Sequence, residues 1–239
     1  MRIQIDRSRI GAGESWAGAA DEALRDEPGP VLAQDLSGER LLFRTDPDHR
    51  LSVRPMVPGD LGDVTRWVNH PHVARWWDEH RTAEQVQAYY GPALAGSDPT
   101  RLWVWEVNGR SVGFSQDYRI SDHPEWALLC AHPEAIGFDY AIGEPAFVGR
   151  GIGTSLLWVF LRDIVWPAYP RVREFFAAPD HRNAASLRVL DKLGFTRGLW
   201  FDEPASNGRV DTVVGCSLDV VQVMGTSSSR LSTSDVTAE

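Results

Sequence analysis

Three glycines at alternate positions are the most chemically suggestive feature of this 239-residue sequence. They lie in VGRGIGTS, residues 148 to 155, directly before the apolar run LLWVFL. At the start of a helix, free backbone N–H groups and the helix dipole favour an anion, and glycines let a phosphate approach the main chain. Arg150 could add a positive charge. The alternative is a turn whose glycines only satisfy unusual backbone angles, and this stretch alone leaves both interpretations open.

The glycine stretch does not match two well-known phosphate-binding loops. No Lys-Ser or Lys-Thr pair ends it, which excludes the nucleoside-triphosphate loop, and its spacing is not G-x-G-x-x-G, which excludes the dinucleotide loop.

Two other features surround the glycine stretch. Asp139 lies at the centre of the preceding apolar segment AIGFDYAIG, where a carboxylate could accept a proton from a substrate. It could instead only hold a cation or a backbone group. Further along, PDHRNAASLRVLDKLGF predicts a helix that Asn183 caps and Gly194 closes.

The elements that must position these residues alternate between strands and helices. Apolar spacings of three and four predict a helix from Pro58 to Asn69, and a capping box at Thr82 predicts another to Leu94. The pair Asn108-Gly109 between apolar runs predicts a hairpin. LLFRT and RLSVRP are predicted as two strands around the turn DPDH. The remaining predicted strands are 135–143, 172–178, 195–201 and 209–219, and the remaining helices are 152–164 and 183–193.

Composition limits the function classes. A hydrophobic content of 43% with ten tryptophans predicts one folded domain, here 51–222, with an N-terminal extension at 1–50 and a disordered tail at 223–239. A net charge of -9 opposes binding to nucleic acid or anionic membranes. The absence of a long apolar run or leader predicts a cytoplasmic protein, as a monomer or homodimer. Two cysteines without zinc-ligand spacing predict no disulfide framework and no metal.

The glycine loop and NAASLRVLDKLGF together resemble the GCN5-related N-acetyltransferase (GNAT) superfamily, in order and spacing, over about residues 51 to 220. The resemblance implies an α/β (α+β) fold with a mixed, mostly antiparallel bent sheet flanked by helices, and acetyl-CoA as co-substrate. It implies that the loop amides bind the pyrophosphate, that the strand near Tyr140 to Gly143 pairs with the pantetheine arm, and that the helix start faces the thiol. The implied cofactor-binding residues are Ala141, Ile142, Val148, Gly149, Arg150, Gly151, Ile152, Gly153, Thr154, Asn183 and Ser186.

The sequence departs from the family pattern at two positions. Val148 replaces the usual Gln or Arg at the start of the loop, which a cradle of backbone amides tolerates. Leu190 stands where many members carry the tyrosine that protonates the departing thiolate. That role is left unfilled or falls to Tyr118, Tyr140, Ser186 or water.

Within the superfamily, IGFDYAIG and the hairpin NGRSVGFSQDY are similar to the branch of aminoglycoside 6′-N-acetyltransferases and siderophore-related acyltransferases. The likeness implies direct transfer to a primary amine, with Asp139 as base and Tyr140 and Ser186 as further catalytic residues. The predicted substrate-binding residues are Trp76, Trp77, Tyr118, Trp126 and Asp139. At positions where the aminoglycoside enzymes carry acids, this chain has His132, Ala178 and Asn207.

Three alternatives to an aminoglycoside-type acceptor stay open. A siderophore-pathway enzyme would acylate the hydroxylated side-chain amine of lysine or ornithine. A protein N-terminal acetyltransferase would need an open groove, which an ordered 119–133 loop would obstruct. A non-catalytic CoA-binding module would be consistent with Leu190 at the place of the usual acid.

Overall fold

The computed structural model describes residues 32–34, 40–44, 49–77, 82–122, 132, 134–204 and 210–224. Most of the predicted N-terminal extension, the turn DPDH apart from His49, and most of the predicted tail lie outside these ranges. No helix among the described residues has the length and apolar character needed to cross a bilayer.

The described strands form two sheets. β1 (Leu32–Gln34) and β2 (Arg40–Arg44) make an antiparallel pair of their own. The other strands form one sheet in the order β3-β4-β5-β6-β7-β9-β8, which is antiparallel except for the pair β6 and β7. Their bounds are β3 (Leu51–Pro55), β4 (Arg101–Val107), β5 (Arg110–Arg119), β6 (Ile136–Ile142), β7 (Glu174–Ala177), β8 (Thr196–Pro204) and β9 (Val210–Asp219). This mixed, mostly antiparallel sheet confirms the predicted fold class.

Helices cover both faces of the larger sheet. Those described are α1 (Leu61–Val68), α2 (Pro71–Ala74), α3 (Ala83–Leu94), α4 (Ile152–Val159), α5 (Trp166–Ala168), α6 (Ala184–Lys192) and α7 (Val220–Met224). Thr82 and Gln85 form the predicted capping box at the start of α3, with Gln85 N donating to Thr82 Oγ1 at 3.3 Å. Asn108 and Gly109 both have positive φ at the turn between β4 and β5, as the hairpin signal predicts.

The two faces of the sheet carry different side chains of the same strands. One face, called here the α1 face, packs Phe114 and Ala141 against α1 and α3. The opposite face, called the α4 face, packs Trp105 and Phe138 against α4 and α6. Successive residues of a strand point to opposite faces, so neighbours in β6 contribute to different cores.

The structure adds detail to three predicted regions. LLFRT and RLSVRP are strands, as predicted, and β2 pairs with β1 whereas β3 pairs with β4. The helix predicted to end at 164 continues as a π-helical segment, Phe160–Val165, and then as α5. α7 continues to Met224, two residues past the predicted domain end at 222, and Met224 is buried in the core of the α4 face.

Candidate active site

β6 and β7 run parallel and separate partway along their length. Within the described chain, their ladder pairs Ile136 with Phe175 and Gly137 with Phe176, and it ends there. Beyond Ala177 the chain turns toward β9, where Val214 N donates to Pro179 O at 2.9 Å. The part of β6 from Asp139 onward therefore has one edge that β7 does not cover. This gap lies in the middle of the sheet and opens toward the glycine loop.

The glycine loop lies at the end of this gap and exposes its backbone. Gly149 and Gly151 have φ of 76° and 77°, and Gly151 is the N-cap residue of α4. The N–H groups from Gly149 to Gly153 make no hydrogen bond to another backbone group of the described chain. Arg150 and both glycines of positive φ are exposed, whereas Ile152 and Thr154 are buried and anchor the helix. The loop thus presents unpaired donors at a helix start, as an anion site requires.

The segment between β6 and the loop is fixed by a buried carboxylate. Glu144 is 7% exposed and accepts hydrogen bonds from Trp67 Nε1 and Arg110 Nη2, both at 3.1 Å, with Arg66 Nη1 at 2.5 Å. Burial opposes ionisation, but the indole and the two guanidinium groups outweigh it and hold the pKa of Glu144 below its usual range. These contacts connect α1 and β5 to the approach of the glycine loop.

Asp139 lies on the α1 face, beside the gap. Its Oδ2 accepts a hydrogen bond of 2.9 Å from Gln116 Nε2, the residue directly opposite on β5. Tyr118, also on β5, interacts electrostatically with the same carboxylate. Burial raises the pKa of Tyr118 well above its ordinary value, and the negative charges of Asp139 and Glu203 raise it further. Tyr118 is therefore a protonated donor at any ordinary pH.

Tyr140 lies on the α4 face and contacts α6. Its hydroxyl is 2.9 Å from Ser186 Oγ, and its ring stacks on Trp105 with centroids 5.7 Å apart. Burial raises the pKa of Tyr140 well above its ordinary value of 10.0, so its hydroxyl holds its proton. Asn183 Oδ1 accepts from Ser186 N at 3.1 Å, which is the predicted N-cap of α6. A hydroxyl pair thus lies at the start of this helix.

Leu190 is 1% exposed and belongs to the core of the α4 face. Its side chain packs with those of α4 and β6 and carries no group that transfers a proton. Leu190, where the resemblance places a tyrosine, is therefore a core residue in this structure.

The predicted substrate-binding residues lie in different surroundings. Trp77 donates from Nε1 to Tyr90 Oη at 3.2 Å and packs on Phe114, next to the core of the α1 face. Trp76 is half-buried, with the Arg75 guanidinium 4.6 Å from its ring centroid. Trp126 lies outside the described residues. Trp77 and Tyr118 are thus on the side of Asp139, whereas no described contact connects Trp76 with it.

Two residues of this site were not predicted from the sequence. Gln116 holds Asp139, and His72 Nε2 lies 2.9 Å from the carbonyl oxygen of Ile142, the last residue of β6. The hairpin register could have identified Gln116, because it places the residue opposite Asp139 once β5 and β6 are aligned. His72 carries no local signal, since α2 approaches β6 only through the tertiary fold.

Residues 57–202 match the family model described as Acetyltransferase (GNAT) domain, and this match covers more than half of the chain. The chain therefore belongs to that family and is an N-acetyltransferase that uses acetyl-CoA.

The chain is also similar to curated proteins and to a solved structure. Aminoglycoside N(6')-acetyltransferase type 1 of Klebsiella pneumoniae is 26% identical over 182 residues, covering 74% of this chain and 85% of the relative. Lysine N-acyltransferase MbtK of Mycobacterium sp. (strain MCS) is 28% identical over 184 residues, covering 74% and 73%. The crystal structure of aminoglycoside acetyltransferase AAC(6')-Ib in complex with coenzyme A superimposes with a TM-score of 0.61 at 22% identity, covering 72% of this chain and 96% of that one. At this identity the structural likeness shows the fold alone.

Proposed function

We propose that this protein transfers the acetyl group of acetyl-CoA directly to a primary amine of a small polar molecule, as aminoglycoside 6′-N-acetyltransferases do. The observation that carries the proposal is the position of Asp139. Its carboxylate lies beside the gap between β6 and β7, held by Gln116 and next to the start of the exposed edge. A base at this point can reach an amine that meets the thioester in the gap.

Acetyl-CoA fits the residues around the gap. The unpaired amides from Gly149 to Gly153 suit its pyrophosphate, with the exposed Arg150 side chain among them and Thr154 directly after them. The uncovered edge of β6 at Ala141 suits the amide groups of the pantetheine arm, which would extend the sheet as an added strand does. When bound, acetyl-CoA supplies an acetyl group activated as a thioester.

Asp139 acts as the base on the α1 face. Most primary amines are protonated at neutral pH, and only the neutral form has a lone pair that can attack a carbonyl carbon. Asp139 takes a proton from the amine, directly or through water, as the nitrogen–carbon bond forms and the carbon–sulfur bond breaks. Gln116 holds the carboxylate in place while the charge on nitrogen changes.

Tyr140 and Ser186 act on the α4 face. The sulfur that leaves needs a proton, and Leu190 cannot supply one. Tyr140 keeps its proton at high pH and shares it with Ser186 Oγ at 2.9 Å, so this hydroxyl pair is the donor that the chain offers there.

Two classes of acceptor fit the residues around the site. Of the positions where acids are expected in aminoglycoside enzymes, Ala178 packs beside an apolar cluster and His132 uses its backbone N–H on Glu174 at 3.0 Å. Asn207 lies outside the described residues. Glu203 and Asp139 supply negative charge near Tyr118 and support a cationic acceptor. This chain has no acid at the positions where aminoglycoside enzymes are expected to carry one. That difference and the similarity to a lysine N-acyltransferase favour hydroxylated lysine or ornithine as a second candidate acceptor.

The experiment is CoA release by the full chain with acetyl-CoA, run in parallel on kanamycin-type aminoglycosides, lysine, N-hydroxylysine and N-hydroxyornithine. Turnover of the aminoglycosides would support the first acceptor class. Turnover of the lysine or ornithine compounds alone would support the second. No CoA release with any of them would overturn both.

The base is tested with Asp139→Asn, which should lower kcat by about 100-fold or more while acetyl-CoA affinity stays near that of wild type. Asp163→Asn is the matched control, because Asp163 is an exposed carboxylate that pairs with Arg162. Equal turnover of Asp139→Asn and wild type would contradict the assignment.

A further inference from the structure

We infer that Tyr118 is the positioning residue for the catalytic carboxylate, and that Gly137 is glycine because Tyr118 must lie across it to reach Asp139. The inference rests on the proposed role of Asp139 as base. It assigns to Tyr118 a hydrogen bond to the carboxylate, in place of the thiolate-protonating and substrate-binding roles that the sequence suggested.

The register between β5 and β6 sets up this contact. Tyr118 lies directly opposite Gly137, and Gln116 lies directly opposite Asp139. These four residues are on the same face of the sheet, because each pair is two positions from the other along its strand. Tyr118 therefore reaches Asp139 along the diagonal, whereas Gln116 reaches it straight across. The carboxylate receives one donor from each.

The diagonal reach is possible only over a residue without a side chain. A Cβ on Gly137 would lie 2.4 Å from Cε2 and 2.8 Å from Cζ of Tyr118, and 2.8 Å from Cδ1 of Ile120. The ring of Tyr118 thus rests on the backbone of β6. Phe176, which is opposite Gly137 on β7, closes the other side of this small apolar cluster, where Tyr118 is 8% exposed. Any larger residue at 137 would push the hydroxyl away from Asp139.

The two donors have an electrostatic consequence for the base. Hydrogen bonds to an ionised carboxylate favour the ionised form and lower its pKa. Donors from Gln116 and Tyr118 would therefore orient the Asp139 carboxylate and favour the form that accepts a proton from the amine. Residues of β5 thus orient the carboxylate, and Asp139 itself performs the proton transfer.

Other titratable groups face this cluster and belong in the design of the test. Tyr89 on α3 and Glu203 on β8 both act on Tyr118. Glu203 is a second carboxylate, so its contribution to the pH profile must be separated from that of the base. Glu203→Gln provides a background in which that contribution is absent.

The test is the pH profile of kcat/KM for Tyr118→Phe, which removes the hydroxyl and keeps the ring on Gly137. Loss of a donor to the carboxylate raises the pKa of the base, so the acidic limb of the profile should move up by about one pH unit. The KM for acetyl-CoA should stay near that of wild type. The same shift should appear in the Glu203→Gln background.

Tyr169→Phe is the matched control. Tyr169 Oη donates to the buried Asp117 at 2.8 Å on the α4 face, so this variant also removes a tyrosine–aspartate hydrogen bond from β5. We expect it to lose stability without moving the acidic limb. A second variant, Gly137→Ala, displaces the ring with the hydroxyl retained and should shift the limb in the same direction as Tyr118→Phe.

The outcomes separate this inference from the proposed function. If Asp139→Asn is inactive and the acidic limb of the Tyr118→Phe pH profile is unshifted, the inference about Tyr118 is overturned. The assignment of Asp139 as base then still stands. An active Asp139→Asn would overturn the base itself. A uniform loss of rate in Tyr118→Phe, with the limb at its wild-type pH, would make Tyr118 a structural residue only.

Discussion

Asp139 and Tyr140 are consecutive residues of β6 whose side chains lie on opposite faces of the sheet. Asp139 is bonded to Gln116 of β5 at 2.9 Å, and Tyr140 is bonded to Ser186 of α6 at 2.9 Å. Because the ladder with β7 has ended by this point, both residues border the same gap. A base and an acid can then serve one reaction in the gap without neutralising each other.

This arrangement predicts separate kinetic effects for the two faces. Tyr140→Phe should lower kcat by about 100-fold, because the sulfur loses its proton donor, while the stacking on Trp105 keeps the ring in place. Since burial raises the pKa of Tyr140 above 10.0, wild-type kcat should show no alkaline fall below that pH. Stopped-flow measurement of CoA release checks both. An unchanged kcat in Tyr140→Phe would exclude it as the acid, and Ser186→Ala would then be the next variant to measure.

Much of the fold could be predicted because its signals are local. The capping box at Thr82 and the positive φ at Asn108 and Gly109 are set by residues within a few positions of one another. The pairing of β2 could not be predicted in this way. LLFRT and RLSVRP have compatible patterns and a turn between them, but β3 pairs with β4 instead, and only the tertiary fold decides between the two partners.

The residues of the candidate site were predictable to the same extent, where their signals are local. Asp139, Tyr140, the glycine loop and Asn183 are visible in the sequence because each sits within a short motif. Gln116 and His72 are not, since their roles depend on cross-strand register and on the approach of α2.

The glycine loop should respond to substitution differently from another glycine of the same backbone conformation. Gly151→Ala places a side chain at φ of 77° and narrows the approach to the loop amides, so the KM for acetyl-CoA should rise at least tenfold. Gly109→Ala is the control, because Gly109 has φ of 78° in the β4–β5 turn. Each should cost about 1 kcal/mol in the free energy of unfolding. Equal acetyl-CoA KM values for the two variants would exclude the loop as the phosphate site.

The ion pair at the start of α1 should make stability depend on pH. Arg54 donates to both oxygens of Asp60 at 2.8 Å, and this contact holds the pKa of Asp60 below its ordinary 3.8. A lowered folded-state pKa gives stability that is complete above pH 3.8 and is lost as pH falls through the folded value. Asp60→Asn should therefore reduce the free energy of unfolding by about 1–2 kcal/mol at pH 7 and by less below pH 4.

Urea unfolding of wild type and Asp60→Asn at pH 7 and at pH 3 measures how the stability difference between them changes with pH. The control is Asp63→Asn, because Asp63 pairs with Arg66 on the surface of α1, where the two side chains are 43% and 46% exposed. It should change stability by less than about 0.5 kcal/mol. A difference between Asp60→Asn and wild type that stays constant from pH 7 to pH 3 would contradict the linkage.

The contact of Gly143 with Trp67 should be the most sensitive point between the base and the loop. A Cβ on Gly143 would lie 2.0 Å from Cγ of Trp67, a fully buried ring that stacks on Phe114 and donates to Glu144. Since neither the ring nor the strand can move freely, Gly143→Ala should cost about 3 kcal/mol in the free energy of unfolding. It should also raise the KM for acetyl-CoA, because displacing Trp67 disturbs Glu144 and so the approach of the loop.

Thermal and urea unfolding, together with initial rates, measure the two effects. Gly62→Ala is the control, because a Cβ there meets open space within α1 and should raise stability by about 0.5–1 kcal/mol through helix propensity. Combining Gly143→Ala with Trp67→Leu should cost less than the sum of the two single changes, since the smaller side chain at 67 relieves the clash with the added Cβ. Additive costs would show that Gly143 and Trp67 act independently, and that the loop is held by other contacts of Glu144.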